Sequence, residues 1–192
     1  NERINIPFLR WITDDIIRLS NDIIILNNRD KTILQNKYNK NSKNICVIPH
    51  ANYSYYSHCN FTNPQNHENN TFELKNNILF IGRIEKYKGI NLLLGSFEDV
   101  IKINPNLKLI IAGDGDLNPY KNQLDKIKDN VYIINRWIKD EEFQKIIEQC
   151  DIIVIPYIEA TQSGIIPLAF SFGKPVIATD VGAISEQVPA DT

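Results

Sequence analysis

The feature that most constrains this chain is a rhythm that begins near residue 76. Short, unbroken runs of β-branched and other apolar residues alternate with longer segments of helical periodicity. The runs are "NNILFIGRI", "NLKLIIAG", "NVYIIN", "DIIVIPY" and "KPVIAT". Continuous apolar runs of this length suit strands covered on both faces. Between them, "GINLLLGSFEDVIKIN" places Leu93, Phe97, Val100 and Ile101 on one helical face. "PYKNQLDKIKD" reads as a helix opened by Pro119. "DEEFQKIIEQC" carries acidic residues in its first turn, where the helix dipole favours them. Strands separated by helices need crossover connections. The pattern therefore predicts an α/β fold, a doubly wound parallel sheet with helices on both faces, over residues 76–192.

The first fifty residues have a similar grammar but only two strands, "NDIIIL" and "NICVIPH", too few to close a sheet alone. Asn27 and Asn28 can cap the helix "RDKTILQNKY" between them. Residues 51–75 are polar, Asn-rich and without periodicity, which marks a linker or long loop. A formal charge of -2 argues against a broad nucleic-acid surface. No apolar stretch reaches the length of a membrane span, and residues 1–20 lack a signal-peptide pattern. The chain has no Met, so its N-terminus is expected to be cut from a longer protein. Cys46, Cys59 and Cys150 are an odd set without C-x-x-C spacing, read as reduced thiols in a cytoplasmic protein. Sequons at Asn52, Asn60 and Asn69 are expected by chance in so Asn-rich a chain.

Ligands of such sheets bind outside the carboxyl ends of the strands. That rule singles out Gly82-Arg83 through Lys88, Gly113-Asp114, the Arg136-Trp137-Ile138 turn, and Glu159 to Gly164. Pro167 is tolerated only in a first helical turn, so a helix starts close to it. The amides of Gln162, Ser163, Gly164 and Ile165 then lie at a helix N-terminus. Two readings stand here: an anion cradle completed by the Ser163 hydroxyl, or a capped turn and nothing more. Arg83 leaves the sheet at the same edge, and Lys88 follows five residues later at the next helix entry. An Arg fork and a Lys point charge at one strand end are how proteins hold a diphosphate, which favours the cradle.

From Asn76 to Glu186 the ordered blocks "ILFIGRIEKYKGINLLL", "LKLIIAGDGDL", "VYIINRWIKDEEFQKIIEQCDIIVIPY" and "EATQSGIIPLAFSFGKPVIATDVGAISE" resemble the donor-binding domain of GT-B glycosyltransferases, in the large retaining family four. The resemblance implies a Rossmann-like GT-B donor domain over 76–192, expected to be truncated at its end. "SNDIIILNNRDKTIL...NICVIPHANYSYY" is similar to the end of the family's first domain and its "IPHG" hinge, with Ala51 where Gly is usual. Residues 1–50 would be the C-terminal part of the acceptor-side α/β domain. The implied reaction moves a sugar from a nucleoside diphosphate to an acceptor hydroxyl with retention. Arg83, Lys88 and Glu159 carry over as the catalytic set: the first two on the diphosphate, the acid on the sugar hydroxyls. Gly82, Gly113, Asp114, Trp137, Ile138, Thr161, Gln162, Ser163, Gly164 and Ile165 carry over as donor-binding positions, with the Arg136–Ile138 turn against the nucleobase. One departure stands out: the family's second glutamate, which holds the ribose, is replaced by Leu168.

The implied partners are a nucleoside diphosphate sugar and a glycan or lipid-linked acceptor, with no nucleic acid. The implied setting is surface polysaccharide or glycoconjugate synthesis in a bacterial cytoplasm, at the inner face of the membrane through the rest of the first domain. No cofactor is expected. Asp114 and Asp116 form D-x-D, but a turn lining the cleft is favoured over a metal site, and "GDGDLN" does not complete G-x-G-x-x-G. His50, His58, Cys59 and His67 fit no common zinc spacing. Glu186 could touch the donor or serve as a cap. The alternative to an enzyme is a non-catalytic nucleotide-sugar-binding or structural module, since the isolated chain is expected to bind nucleotide weakly and transfer no sugar.

Overall fold

The computed structural model describes residues 7–39, 41, 44–53 and 76–188. The histidines and cysteine at 58, 59 and 67, the sequons at 60 and 69, and most of the linker at 51–75 lie outside the described residues.

The five apolar runs become β3 (Asn77–Ile81), β4 (Lys108–Ala112), β5 (Val131–Ile134), β6 (Ile152–Ile155) and β7 (Val176–Ala178). They form one sheet in the order β5-β4-β3-β6-β7, and every pairing is parallel. The order explains the burial. β4 is flanked on both sides, and Leu109, Ile110, Ile111 and Ala112 are fully buried. β5 and β7 are edges, and Tyr132, Ile133 and Ile177 face outward there.

The helices of this region are α3 (Ile90–Ile103), α4 (Lys121–Lys126), α5 (Asp140–Glu148), α6 (Ile165–Ser171) and α7 (Ile184–Gln187). The chain steps one way from β3 to β4 to β5, then returns across the sheet to β6 and β7. With right-handed crossovers, that reversal puts α3 and α4 on one face and α5 and α6 on the other. α3 buries Ile90, Leu93, Leu94 and Phe97. Val100, expected on that face, is 39% exposed, because the buried stripe has rotated past the sheet by the last turn; Ile101 still packs against the core. Each Leu or Ile so buried contributes roughly 1.5–3 kcal/mol of transfer free energy.

The first stretch contains α1 (Pro7–Leu19), a helix additional to those the sequence pattern predicts, then β1 (Ile23–Ile25), α2 (Asn28–Tyr38) and β2 (Ile45–Val47). β1 and β2 pair in parallel as a separate two-stranded sheet. Asn27 caps α2, its side chain accepting from the Asp30 amide at 2.7 Å. Ala51 has no positive φ, so nothing there demands the glycine of the usual hinge.

The β3–β6 pairing at the sheet centre is reinforced just beyond the strands. The Ile158 amide donates to the Tyr87 carbonyl at 2.8 Å. Gly89, which begins α3, has φ +71°, and a Cβ placed there would sit 1.7 Å from the Pro156 carbonyl oxygen. Gly89→Ala is therefore expected to cost at least about 2 kcal/mol of stability through left-handed strain and overpacking, measured by urea denaturation.

Candidate active site

Strands whose successors depart in opposite directions leave a crevice between their carboxyl ends, and here those strands are β3 and β6. A cavity of about 370 Å³ opens there. Gly82 and Lys88 reach it from the β3 side, and Tyr157, Gln162, Ser163, Gly164 and Ile165 from the β6 side. Asp140, Phe143 and Gln144 come from α5, Leu168 and Phe172 from α6 and its end, and Tyr53 from the residues after β2. Gly82 has φ +139° with open space where a side chain would stand, so the backbone itself faces the cavity.

Lys88 is the cation of this cavity. Its Nζ donates to the Tyr157 hydroxyl at 2.7 Å and lies 3.9 Å from that ring's centroid. Burial pushes the Lys88 ammonium below its ordinary pKa of 10.5, and the positive charge of Arg83 adds to the effect. The Tyr157 hydroxyl lies 3.2 Å from the Ser163 Oγ, which connects Lys88 to the loop before α6. Burial raises the Tyr157 pKa, so the phenol stays protonated and can pass its hydrogen bond along.

The main-chain cradle differs from the sequence-based expectation. Ser163 is buried, and its amide donates to Gln187 Oε1 at 2.8 Å while Gln187 Nε2 donates to the Ser163 carbonyl at 3.0 Å. The Ile165 amide donates to Ser163 Oγ at 3.3 Å. These two amides and the hydroxyl are thus occupied within the chain, not free for an anion. α6 is only seven residues long, so its dipole adds little. Gln187, 24 residues away, carries no local signal of this role.

The other expected residues are distributed as follows. Arg83 is not among the residues that line the cavity; its side chain is 63% exposed and 3.3 Å from Glu85. Glu159 is exposed and is not among the residues that line the cavity. Gly113 donates its amide to the Ile134 carbonyl, and the exposed Asp114 accepts from the Ile84 amide through its own carbonyl. Asp116 caps the next turn, accepting from the Asn118 amide at 2.9 Å, as a turn residue does. Trp137 is 71% exposed, whereas the Ile138 side chain is in the core, leaving only its main chain to meet a base. Thr161 is exposed and borders a smaller cavity with β1 and Asn27. Gln162 borders both cavities, and its buried Oε1 has no hydrogen-bond partner. Glu186 caps: its oxygens accept from the Asn28 amide, the Asn28 side chain and the Arg29 amide, at 2.8, 3.1 and 2.8 Å.

The family model for "Glycosyl transferases group 1" matches residues 75–191. The chain belongs to that family. This chain is 31% identical over 113 residues to an uncharacterized glycosyltransferase of Methanocaldococcus jannaschii, covering 57% of this chain and 28% of the relative. It is 28% identical over 121 residues to the GDP-mannose:glycolipid 4-beta-D-mannosyltransferase of Xanthomonas campestris, covering 58% of this chain and 33% of that protein. The chain thus spans about a third of the length of these curated relatives. Among solved structures it is similar to the sucrose-phosphate synthase of Thermosynechococcus elongatus, with TM-score 0.72, 16% identity and coverage of 92% of this chain and 45% of that one. It is also similar to S. aureus TarM in complex with UDP, with TM-score 0.68, 23% identity and coverage of 93% and 34%. The fold of the chain is therefore α/β, with the Rossmann-like parallel sheet of GT-B proteins. No helix among the described residues is long and apolar enough to cross a membrane.

The start of α5 carries its own electrostatic device. Arg136 donates to both Glu142 oxygens at 2.8 and 2.6 Å, and Glu142 also accepts from the Lys139 amide. The guanidinium holds the Glu142 pKa at about 2 instead of 4.5. A carboxyl depressed in the folded state stabilises above its unfolded pKa and loses that contribution as pH falls through the folded value. Because Arg136 is half exposed, solvent screening limits the contribution to about 1 kcal/mol. Arg136→Gln is expected to flatten the stability profile by that amount between pH 4.5 and about 2, read from urea denaturation at a series of pH values.

Proposed function

We propose that this chain holds the nucleoside diphosphate of an activated sugar at the β3–β6 crevice, as the donor-side half of a retaining hexosyltransferase. The observation that carries this reading is Lys88. A half-buried ammonium at the mouth of that crevice, with its pKa lowered by burial, gains most when an anion arrives. The names of the relatives support the choice of ligand, since one uses GDP-mannose and a structural neighbour was solved with UDP.

In this reading residues 1–50 belong to an acceptor-side domain, 51–75 to a linker and 76–192 to the donor domain. The anomeric C–O bond to the diphosphate breaks, and a new bond forms to an acceptor hydroxyl on a glycan or lipid-linked saccharide. Negative charge grows on the departing phosphate oxygens, and a cation already in place stabilises it without reorganisation. Lys88 supplies that charge directly. Arg83 supplies it from outside the cavity lining, and Gly82 and Gly164 let the phosphates approach the main chain. The exposed Trp137 and the main chain at Ile138 would meet the base, and Glu159 would approach the sugar from the cavity's edge. Gln162 would offer its carbonyl oxygen to a sugar hydroxyl. The product belongs to a surface polysaccharide or glycoconjugate, assembled at the cytoplasmic face of a membrane.

Calorimetric titration with UDP, GDP and ADP tests the reading. Lys88→Ala is expected to weaken the best of them about 10–100-fold, the range of a charge-assisted hydrogen bond in a partly buried site. Arg83→Ala is expected to cost only a few-fold, because its exposed charge is screened and already near Glu85. Affinity should also fall as pH rises toward 10.5, since the empty protein releases the Lys88 proton that the bound anion retains. Absence of binding by all three nucleotides, or an unchanged affinity in Lys88→Ala, would overturn the reading. The anomeric configuration of the product, determined by NMR, checks retention.

A further inference from the structure

Ser163 is held by a side chain that arrives from another helix. Gln187, the last residue of α7, accepts from the Ser163 amide at 2.8 Å and donates to the Ser163 carbonyl at 3.0 Å. One carboxamide thus acts as a neighbouring strand acts in an antiparallel ladder, exchanging both main-chain bonds with a single residue. Ser163 lies in the loop between β6 and α6, outside strand and helix alike, so its main chain depends on such a partner.

The hydroxyl of the same residue belongs to the line that ends at the cation of the cavity. The Lys88 ammonium has only donors, so the Tyr157 oxygen 2.7 Å away accepts. The phenol's own hydrogen then goes to the Ser163 Oγ at 3.2 Å. Tyr157 is 1% exposed and its ring is set by packing, so what Ser163 settles is the direction of that hydrogen. With Oγ in place, the hydrogen points away from Lys88 and a lone pair faces the ammonium. With Oγ displaced, the hydrogen can turn toward Lys88, and the ammonium loses its acceptor.

We infer that Gln187 is a positioning residue for the diphosphate: by fixing Ser163 it orients the Tyr157 hydroxyl, and so holds the Lys88 ammonium where the anion arrives. This rests on the reading of the crevice as a nucleoside diphosphate site. The other titratable or charged groups around Lys88 are Tyr87, Glu85 and Arg83 from its own side of the crevice, with Asp140 of α5 bordering the same cavity. Tyr157 is its hydrogen-bond partner from the β6 side, and that is the side Gln187 controls. The bland role for Gln187, satisfying the polar main chain of a buried residue, predicts a loss of stability that leaves Lys88 as it was.

The full chain and its Gln187→Met variant, which keeps the length of the side chain and loses both hydrogen bonds, are compared in two measurements. One follows the Lys88 ¹³Cε NMR resonance through a pH titration without nucleotide. The other is calorimetric titration with UDP, GDP and ADP. Gln187→Met is expected to shift the Lys88 titration in the same direction as Tyr157→Phe, and to weaken the best nucleotide about 3–10-fold. Added to Tyr157→Phe it is expected to cost nothing further, because the line is already cut there. Gln187→Glu keeps the acceptor for the Ser163 amide and loses the donor; its expected effect is intermediate, and it serves if Gln187→Met does not fold. Glu186→Gln, on the same helix but bonded to Asn28 and Arg29, controls for general loosening of α7 and is expected to change neither measurement. An unchanged Lys88 titration, an unchanged affinity, a loss that adds in full to that of Tyr157→Phe, or an equal shift in Glu186→Gln overturns the inference. Failure of the unmodified protein to bind any of the nucleotides overturns the reading of the site, and the Lys88 titration still decides whether Gln187 acts on that ammonium.

Discussion

Everything at the active edge depends on how closely β3 and β6 are held together past the point where their ladder stops. The chain leaves β3 toward one flank of the sheet and leaves β6 toward the other, so a crevice opens between them. Two contacts fasten the two departing loops: the Ile158 amide on the Tyr87 carbonyl, and the bare Cα of Gly89 against the Pro156 carbonyl. The turn Lys86–Lys88 is thereby locked against the residues that follow β6. These contacts bring the Lys88 backbone within reach of Tyr157, and its Nζ donates to that hydroxyl at 2.7 Å.

Charge in the crevice is arranged economically. A fully buried lysine would be neutral and useless to an anion, and a fully exposed one would be screened. Lys88 is between these limits, its ammonium over two tyrosine rings and on a phenol oxygen that leads on to Ser163. Cation–ring contacts of this kind favour a positive charge in a partly buried site and so oppose the effect of burial on Lys88. Arg83 and Glu85 act on the same ammonium with opposite signs.

The sheet was legible because buried parallel strands leave an obvious trace, a run of β-branched residues with no polar alternation. Its order was not, since nothing local in "DIIVIPY" tells it to pair with β3 instead of β5. Of the residues expected at the strand ends, Gly82, Lys88 and Gly164 do line the cavity, and each lies in a segment that follows a strand. The site was illegible wherever a distant side chain decides the outcome: Gln187 occupies the Ser163 amide from another helix, and the cavity residues of α5 look locally like an ordinary acidic helix start. Helix α1 could have been found from the spacing of Ile12, Ile16 and Leu19, but its large apolar residues remain largely exposed, so the packing signal that confirms a helix is weak. Glu186 could be read as a cap or a ligand contact from sequence, and the structure uses both of its oxygens as a cap.

That cap joins parts of the chain 158 residues apart. Arg29 returns the contact, donating to the Gly182 carbonyl at 2.6 Å. A carboxylate anchored on the first turn of one helix, with a guanidinium reciprocating, behaves like a hinge pin. Rotation of the two-stranded sheet away from the five-stranded one would have to break these bonds, so they set its cost.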